Sequence, residues 1–285
     1  MSRSSIVGRA SISLRGLSRA TVAGVALAGA AIPAFAQDAG AAGTQDEDRG
    51  WTVRVGAGPQ LIPTYPGSDE YQLGFFPVLG FRKTGDPLPF GAPGDSPGLT
   101  VNPNKPLEFG PVGNFAPERK AVEDGVPVGK VGFTPEIGAF AQFRLHPSIR
   151  VRVEGRKGLG GHKGWIGSAG VDYIIRDEDR FIFSIGPRAT FANQRYQRAY
   201  YGVSPTVAAA TGLAVYDPDG GLNSVGAAAG LLYQFNYNWG FQSFARYERL
   251  VKDAAKSPIV RDIGSRNQYF AGLALTYTFD IGKIF

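Results

Sequence analysis

The chain has 285 residues, with 30 Lys and Arg against 24 Asp and Glu, 40 Gly, 20 Pro, 19 Phe, 12 Tyr, 2 His and no Cys. Without Cys there is no disulfide framework, thiolate metal site or cysteine nucleophile, and two His cannot build a three-His zinc site, so no cofactor or metal is expected. About a fifth of the residues are Gly or Pro, a composition that breaks helices and suits strands joined by turns.

The basic balance is local. Arg3, Arg9, Arg15 and Arg19 lie in the first 36 residues, which carry no Asp or Glu. Removing these four from the 30 basic residues leaves 26 against 24 acidic, which takes away the support for a nucleic-acid partner. Residues 1–19 are basic and Ser-rich, 20–32 are uncharged and mostly apolar, and Ala34-Phe35-Ala36 is a small-x-small cleavage pattern. This reads as a signal peptide, cleaved after Ala36; the apolar run is too short for the roughly 20 residues of a membrane anchor. No lipidated Cys follows. Residues 37–49 are small, polar and acidic and are expected to be a flexible leader; 50–285 is expected to be one barrel domain.

From Trp51 onward the pattern has period two. Trp51, Val53, Val55 and Ala57 alternate with Thr52, Arg54, Gly56 and Gly58. Strands follow at 71–82 and, after an unclear stretch, at 131–145. In 149–156 Ile149, Val151 and Val153 alternate with Arg150, Arg152 and Glu154; further strands are read at 165–176, 180–192, 222–236 and 238–249. The last strand sets Tyr269, Ala271, Leu273, Leu275, Tyr277, Phe279 and Ile281 on one face and small or polar residues on the other. Soluble strands are usually about 5 to 6 residues long, whereas strands that cross a bilayer need about 9 to 11. These segments have the longer length, and aromatics gather near their ends as in the girdles of membrane barrels. With no stretch of about 20 apolar residues in helical pattern, such a chain crosses a bilayer only as a closed barrel. Tyr277, Phe279 and a terminal Phe285 resemble the signal read by the barrel-insertion machinery of Gram-negative outer membranes.

Short links at 84–86, 146–148, 177–179 and 236–238 alternate with longer ones at 63–70, 157–164, 193–221 and 250–266. Short turns on the periplasmic side give an even count of ten antiparallel up-and-down strands, with 87–130 supplying one strand and one loop. Twelve is the alternative, if 98–103 and 107–115 are separate strands or if 213–216 forms another.

The loops carry a further signal. Pro63-Thr64-Tyr65-Pro66-Gly67-Ser68-Asp69-Glu70-Tyr71 resembles the P-x-Y-x-G-S-D-x-Y signature of the MipA/OmpV family of outer-membrane proteins. Tyr200-Tyr201-Gly202-Val203-Ser204, Tyr247-Glu248-Arg249-Leu250, Asp253 through Ser257-Pro258 to Val260, and Gly264 through Asn267-Gln268 continue the resemblance in order. It implies an outer-membrane barrel. Some members act as scaffolds between a lytic transglycosylase and a peptidoglycan synthase, and others are linked to osmotic adaptation, adhesion or solute passage. Outer-membrane lipid and lipopolysaccharide would surround such a barrel.

Three groups of residues are candidates for function. The inward row is Arg54, Arg82, Glu136, Arg144, Arg150, Arg152, Glu154, Asp172, Arg176, Arg188, Arg246, Glu248 and Asp280. It could line a narrow anion-preferring pore, but small barrels fill their interiors with side chains, so a packed lumen of paired charges is the favoured expectation. The loop residues Tyr65, Gly67, Ser68, Asp69, Glu70, Tyr201, Asp253 and Ser257 could form a ligand surface, or serve as ordinary turn formers. Asp69 and Glu70 are not a glycosidase pair, because neighbours on an extended chain point opposite ways. His146 lies in a tight turn, and His162 lies in the Gly-rich basic loop 156–164, expected to be solvated or to meet lipopolysaccharide phosphates. No Ser-His-Asp set can be argued, so no catalysis is expected. The sequence therefore points to a non-catalytic outer-membrane barrel with a scaffolding role, with a small-solute channel or an adhesin as alternatives.

Overall fold

The computed structural model describes residues 50–103, 105–122 and 126–282. The expected signal peptide, the acidic leader and Phe285 lie outside them.

Ten strands form one antiparallel sheet: β1 Trp51–Pro63, β2 Tyr71–Lys83, β3 Leu107–Ala116, β4 Thr134–His146, β5 Ile149–Gly158, β6 Trp165–Asp177, β7 Phe181–Ala192, β8 Gly221–Gln234, β9 Trp239–Leu250 and β10 Asn267–Ile281. The spatial order is β2-β1-β10-β9-β8-β7-β6-β5-β4-β3, so the chain's first and last strands are neighbours and the wall is an up-and-down barrel sheet. Every strand has 10 to 15 residues, long enough to cross a hydrocarbon layer at a tilt.

The distribution of polarity decides the solvent. Leu73 is 80% exposed and Phe75, Leu79, Phe115, Ile137, Val153, Leu273 and Leu275 are all exposed, while Arg54, Glu136, Arg150, Glu154 and Asp172 are buried. A water-soluble sheet puts its apolar face inward; this one is inverted, as a lipid-facing barrel requires. Aromatics collect at both ends of the wall. Trp239 packs on Tyr277 and Tyr277 on Phe279 at the short-turn end, and Tyr247 packs on Tyr269 at the long-loop end.

The stretch 87–130 contributes one strand, β3, to a count of ten, as the turn pattern predicts. Residues 97–101 additionally run antiparallel along the free edge of β3. Leu99 N–H donates to Pro111 O at 3.1 Å, Val101 N–H to Phe109 O at 2.9 Å, and Gly113 N–H to Pro97 O at 2.9 Å. Among the described residues β2 and β3 are the two edges of the sheet and are not paired with each other.

Two of the longer links contain short helices. Residues 193–221 contain α1 (Gln194–Tyr201) and α2 (Pro205–Thr211), and 250–266 contain α3 (Lys252–Lys256) and α4 (Pro258–Asp262). The causes are local. Asn193 and Ser204 accept hydrogen bonds from the third N–H of α1 and α2, Pro205 opens α2, and Gly212 closes it at φ +74°.

Candidate functional site

The inward charges form one connected network on β4–β7. Arg150 donates to Asp172 Oδ2 from Nε at 3.0 Å and Nη2 at 2.5 Å, and Arg188 holds the other Asp172 oxygen. Arg152 binds Glu154 at 3.0 Å and Gln142 at 3.1 Å. Arg156 joins Glu154 to Glu136, the latter at 2.8 Å, and Asn114 donates to the same Glu136 oxygen at 2.9 Å. Strand alternation explains the cluster: even-numbered residues of β5 and β6 point inward, and antiparallel register sets Arg150 beside Asp172.

The lumen is also crossed by the chain itself. After β2 the Pro-rich run turns inward. Leu88 N–H donates to Asp179 Oδ1 at 2.9 Å and its carbonyl accepts from Arg176 at 2.8 Å. Phe90 lies under Arg150, with the guanidinium carbon 4.6 Å from the ring centre. Pro93 fills the space over Gly230 of β8, where a Cβ would come within 2.9 Å of its ring. Asp95 then accepts from Arg150 at 2.7 Å, and Ser96 donates to Glu154 at 2.6 Å. One segment, 88–96, thus touches both β5 and β8 and plugs the interior.

Eleven of the thirteen sequence-predicted lumen charges lie in this interior or against its rim partners. The remaining two stand at the rim of the same strand face. Arg144 is 39% exposed beside Glu108, and Asp280 is exposed at the short-turn rim, where it accepts from Thr52 at 2.6 Å and from Tyr237. Both stand at strand ends, beyond the packed interior. Arg156, Asp95, Ser96, Glu108, Gln142 and Asp179 belong to the network and were not singled out from the sequence. Arg156 continued the even-numbered row of β5 and could have been found; Asp95 and Ser96 sit in a run without periodicity.

At the other end, the long loops make a small core of their own. Val131, Ala192, Tyr196, Tyr200, Tyr201, Leu250, Ala254 and Val260 form one buried cluster, and Tyr65, Val128, Val203 and Ile259 form a second. Arg119 ties the loops together by donating to the carbonyls of Gly129, Val128, Tyr200 and Ala199, and its guanidinium carbon lies 5.7 Å from the Tyr65 ring centre.

The motif residues serve this cap, which overturns the reading of them as a ligand surface. Tyr65, Ser68, Tyr201, Ser257 and Gln268 are at most 2% exposed. Ser257 donates to Tyr201 O at 2.7 Å, and Gln268 accepts from Gly67 N–H at 3.0 Å while donating to Ser68 O at 3.0 Å. Gly67 has φ +99°, and a Cβ there would come 2.9 Å from Val260, so both conformation and space call for glycine. Gly202 ends α1, donating its N–H to Arg198 O at 3.1 Å; Pro258 opens α4, and Asn267 accepts from Tyr247 and Arg249. Of the eight loop candidates only Asp69 and Glu70 are exposed, and Asp253 accepts from Lys256 at 2.9 Å on the cap surface.

His162 is likewise corrected: it is buried, not solvated. Nδ1 accepts from Gly164 N–H at 3.0 Å, which leaves the proton on Nε2 to be donated to Glu136 at 2.9 Å. The glycines around it allow close approach, since a Cβ on Gly158 would come 2.4 Å from the imidazole. Burial pushes the phenol of Tyr200 up to about 12 and raises those of Tyr196 and Tyr201 as well.

Comparison with known proteins gives a family match and several likenesses among solved structures. The family model described as MltA-interacting protein MipA matches residues 55–279. No curated protein matches the chain. Among solved structures, an outer-membrane channel from Pseudomonas putida F1 is similar at 11% identity and a TM-score of 0.42, covering 84% of this chain and 100% of that one. The N-terminal β-barrel domain of Pseudomonas aeruginosa OprF is similar at 12% identity and a TM-score of 0.25, covering 61% and 96%. The TodX monoaromatic hydrocarbon channel, as a deletion mutant, is similar at 8% identity and a TM-score of 0.33, covering 83% and 91%.

Proposed function

The chain belongs to the MipA family of outer-membrane barrel proteins, and we propose that within it this protein is a non-catalytic, non-conducting anchor that links the outer membrane to murein-modifying enzymes. The observation that carries the reading is the doubly closed lumen: Asp95 and Ser96 are seated on Arg150 and Glu154 inside the wall, and Arg119 and the tyrosine cluster close the long-loop mouth. A wall so filled has rigidity and membrane placement to offer, not a path.

In this reading the signal peptide 1–36 is removed on export, the leader 37–49 and the short turns face the periplasm, and 50–285 is the barrel. The family description names an interaction with MltA, which supports a lytic transglycosylase as partner, with a peptidoglycan synthase as the second enzyme. The partner surface is the short-turn end, where Asp177, Glu178, Asn236 and Tyr237 are exposed together with Pro87, Pro103 and Lys105 from the 84–106 connection. That connection enlarges a surface which short turns alone would leave small.

Planar-bilayer conductance of the folded barrel, with heat-modifiable gel mobility as the proof of folding, tests the closed lumen; no discrete steps are expected. A pull-down of periplasmic enzymes, weakened when Asp177 and Glu178 are replaced by Lys, tests the partner surface.

The channel reading has one observation in its favour. A cavity of about 330 Å³ opens at the free edge of β3, between lumen-side Asn114 and Glu136 and lipid-side Phe115 and Ile137. Anion-preferring conductance steps would move the assignment to that reading.

A further inference from the structure

The lumen arginines of the wall face carboxylates, with one exception. Arg150 and Arg188 meet Asp172, Arg152 meets Glu154, Arg156 meets Glu136 and Glu154, Arg176 and Arg82 share Asp179, and Arg246 meets Glu248. Arg54, on β1 near the short-turn end, is 3% exposed and pairs with no carboxylate among the described residues. Its single hydrogen bond runs from Nη2 to Thr276 Oγ1 at 2.9 Å, which leaves Nε and Nη1 buried and without an acceptor. Arg82, across the β1–β2 pairing, spends Nη1 on Asp179, and its Nε is also buried without an acceptor. Both guanidiniums line the same cavity of about 10 Å³ together with the Asp179 carboxylate, closed on one side by Leu88 of the plug and on another by Gln234 and Thr278.

Taking an ionised group out of water is tolerated when a counter-charge and hydrogen-bond acceptors replace the water. Arginine stays protonated, so it cannot escape by losing its charge as a buried lysine can. A water in the cavity would accept from the orphaned N–H groups but would leave two guanidiniums facing each other around one carboxylate that Arg176 already shares. A small anion answers both needs. The volume is that of about one water-sized particle, which excludes sulfate, phosphate and organic carboxylates.

We infer that this cavity is a binding site for one monatomic anion of the chloride class, held by Arg54 Nε and Nη1 on one side and Arg82 Nε on the other. Gln234 also lines the cavity, with its Nε2 donating to the Thr278 hydroxyl at 3.2 Å. The site joins plug to wall, because Leu88 is clamped by Asp179 through its N–H and by Arg176 through its carbonyl directly beside it. A bound anion therefore fixes the entrance of the plug, a role independent of whether the short-turn end also binds an enzyme.

The barrel purified from membranes and crystallised from sodium bromide gives the test. An anomalous bromide peak is expected within hydrogen-bonding reach of Arg54 Nε and Nη1, and its disappearance is expected in crystals of Arg54→Met. An empty cavity, a water without anomalous signal, or a carboxylate of the chain lying against Arg54 would each overturn the inference. Thermal unfolding of the unaltered barrel decides the matter even where Arg54→Met fails to fold. In sodium chloride the midpoint rises above that in sodium gluconate at equal ionic strength and saturates as single-site binding does. Coincident midpoints in the two salts overturn the site.

Discussion

The Ser96 hydroxyl reaches across the lumen to the Glu154 carboxylate at 2.6 Å, and through it a connection between two edge strands becomes part of the barrel's interior. The carboxylate is shared with Arg152 and Arg156, so plug and wall are held by the same charges rather than by separate contacts.

Arg150 shows the same sharing, since it serves both Asp172 of the wall and Asp95 of the plug. Arg150→Ala leaves Asp172 with Arg188 as its one cation, and Asp95 loses its nearest one. Breaking a buried pair by removing one partner costs about 3–5 kcal/mol. The urea midpoint of the folded barrel is expected to fall accordingly, with bilayer insertion intact.

Replacing 88–96 by a Gly/Ser linker of equal length removes the plug while β2 and β3 keep their connection. Conductance steps are expected when this change is combined with Arg119→Ala, which loosens the long-loop cap, and from neither the unaltered barrel nor the linker variant alone. Steps from the linker variant alone would mean that the cap does not seal the long-loop mouth.

Arg119→Lys keeps the charge but loses the planar fork that serves four loop carbonyls. We expect faster protease cleavage within 117–133 and 193–216, with the gel mobility of the barrel unchanged. Ser257→Ala leaves the buried Tyr201 carbonyl without its donor and is expected to weaken the cap by about 1–3 kcal/mol.

High pH attacks the same cap. Tyr196, Tyr200 and Tyr201 have raised pKa values when folded, so between pH 10 and about 12 the opened cap releases protons that the closed one keeps. Stability is then full below pH 10 and declines as pH rises through the folded value, by about 1.4 kcal/mol per unit and per tyrosine. Tyrosinate absorbance should show a delayed, cooperative phase that disappears in urea. A simple titration centred on pH 10 in the folded barrel would contradict it.

The wall was legible in the sequence because its signal is local: Arg150, Arg152 and Glu154 alternate with Ile149, Val151 and Val153, and period two fixes which face meets lipid. Asp95 and Ser96 had no such signal. Their partners lie 55 and 58 residues further on, and a Pro-rich run without periodicity does not announce which way it turns. His162 was misjudged for a related reason, since glycine-rich sequence suggests exposure, while here it permits close packing. Tyr65, Ser68 and Ser257 were recognised as a set before their role could be. Asn193, Ser204, Pro205 and Gly212 cap α1 and α2, and such short local signals are hard to see in a chain whose Gly and Pro content points to strands and turns.

The plug is flanked by β2 and β3, the two edges of the sheet, and both ends of the 84–106 connection lie at the short-turn end. The segment therefore never has to be threaded through a finished ring. It can lie against the open sheet on its charged face and be enclosed as the edges approach, so the barrel is stoppered by the act of assembly and no knot is made.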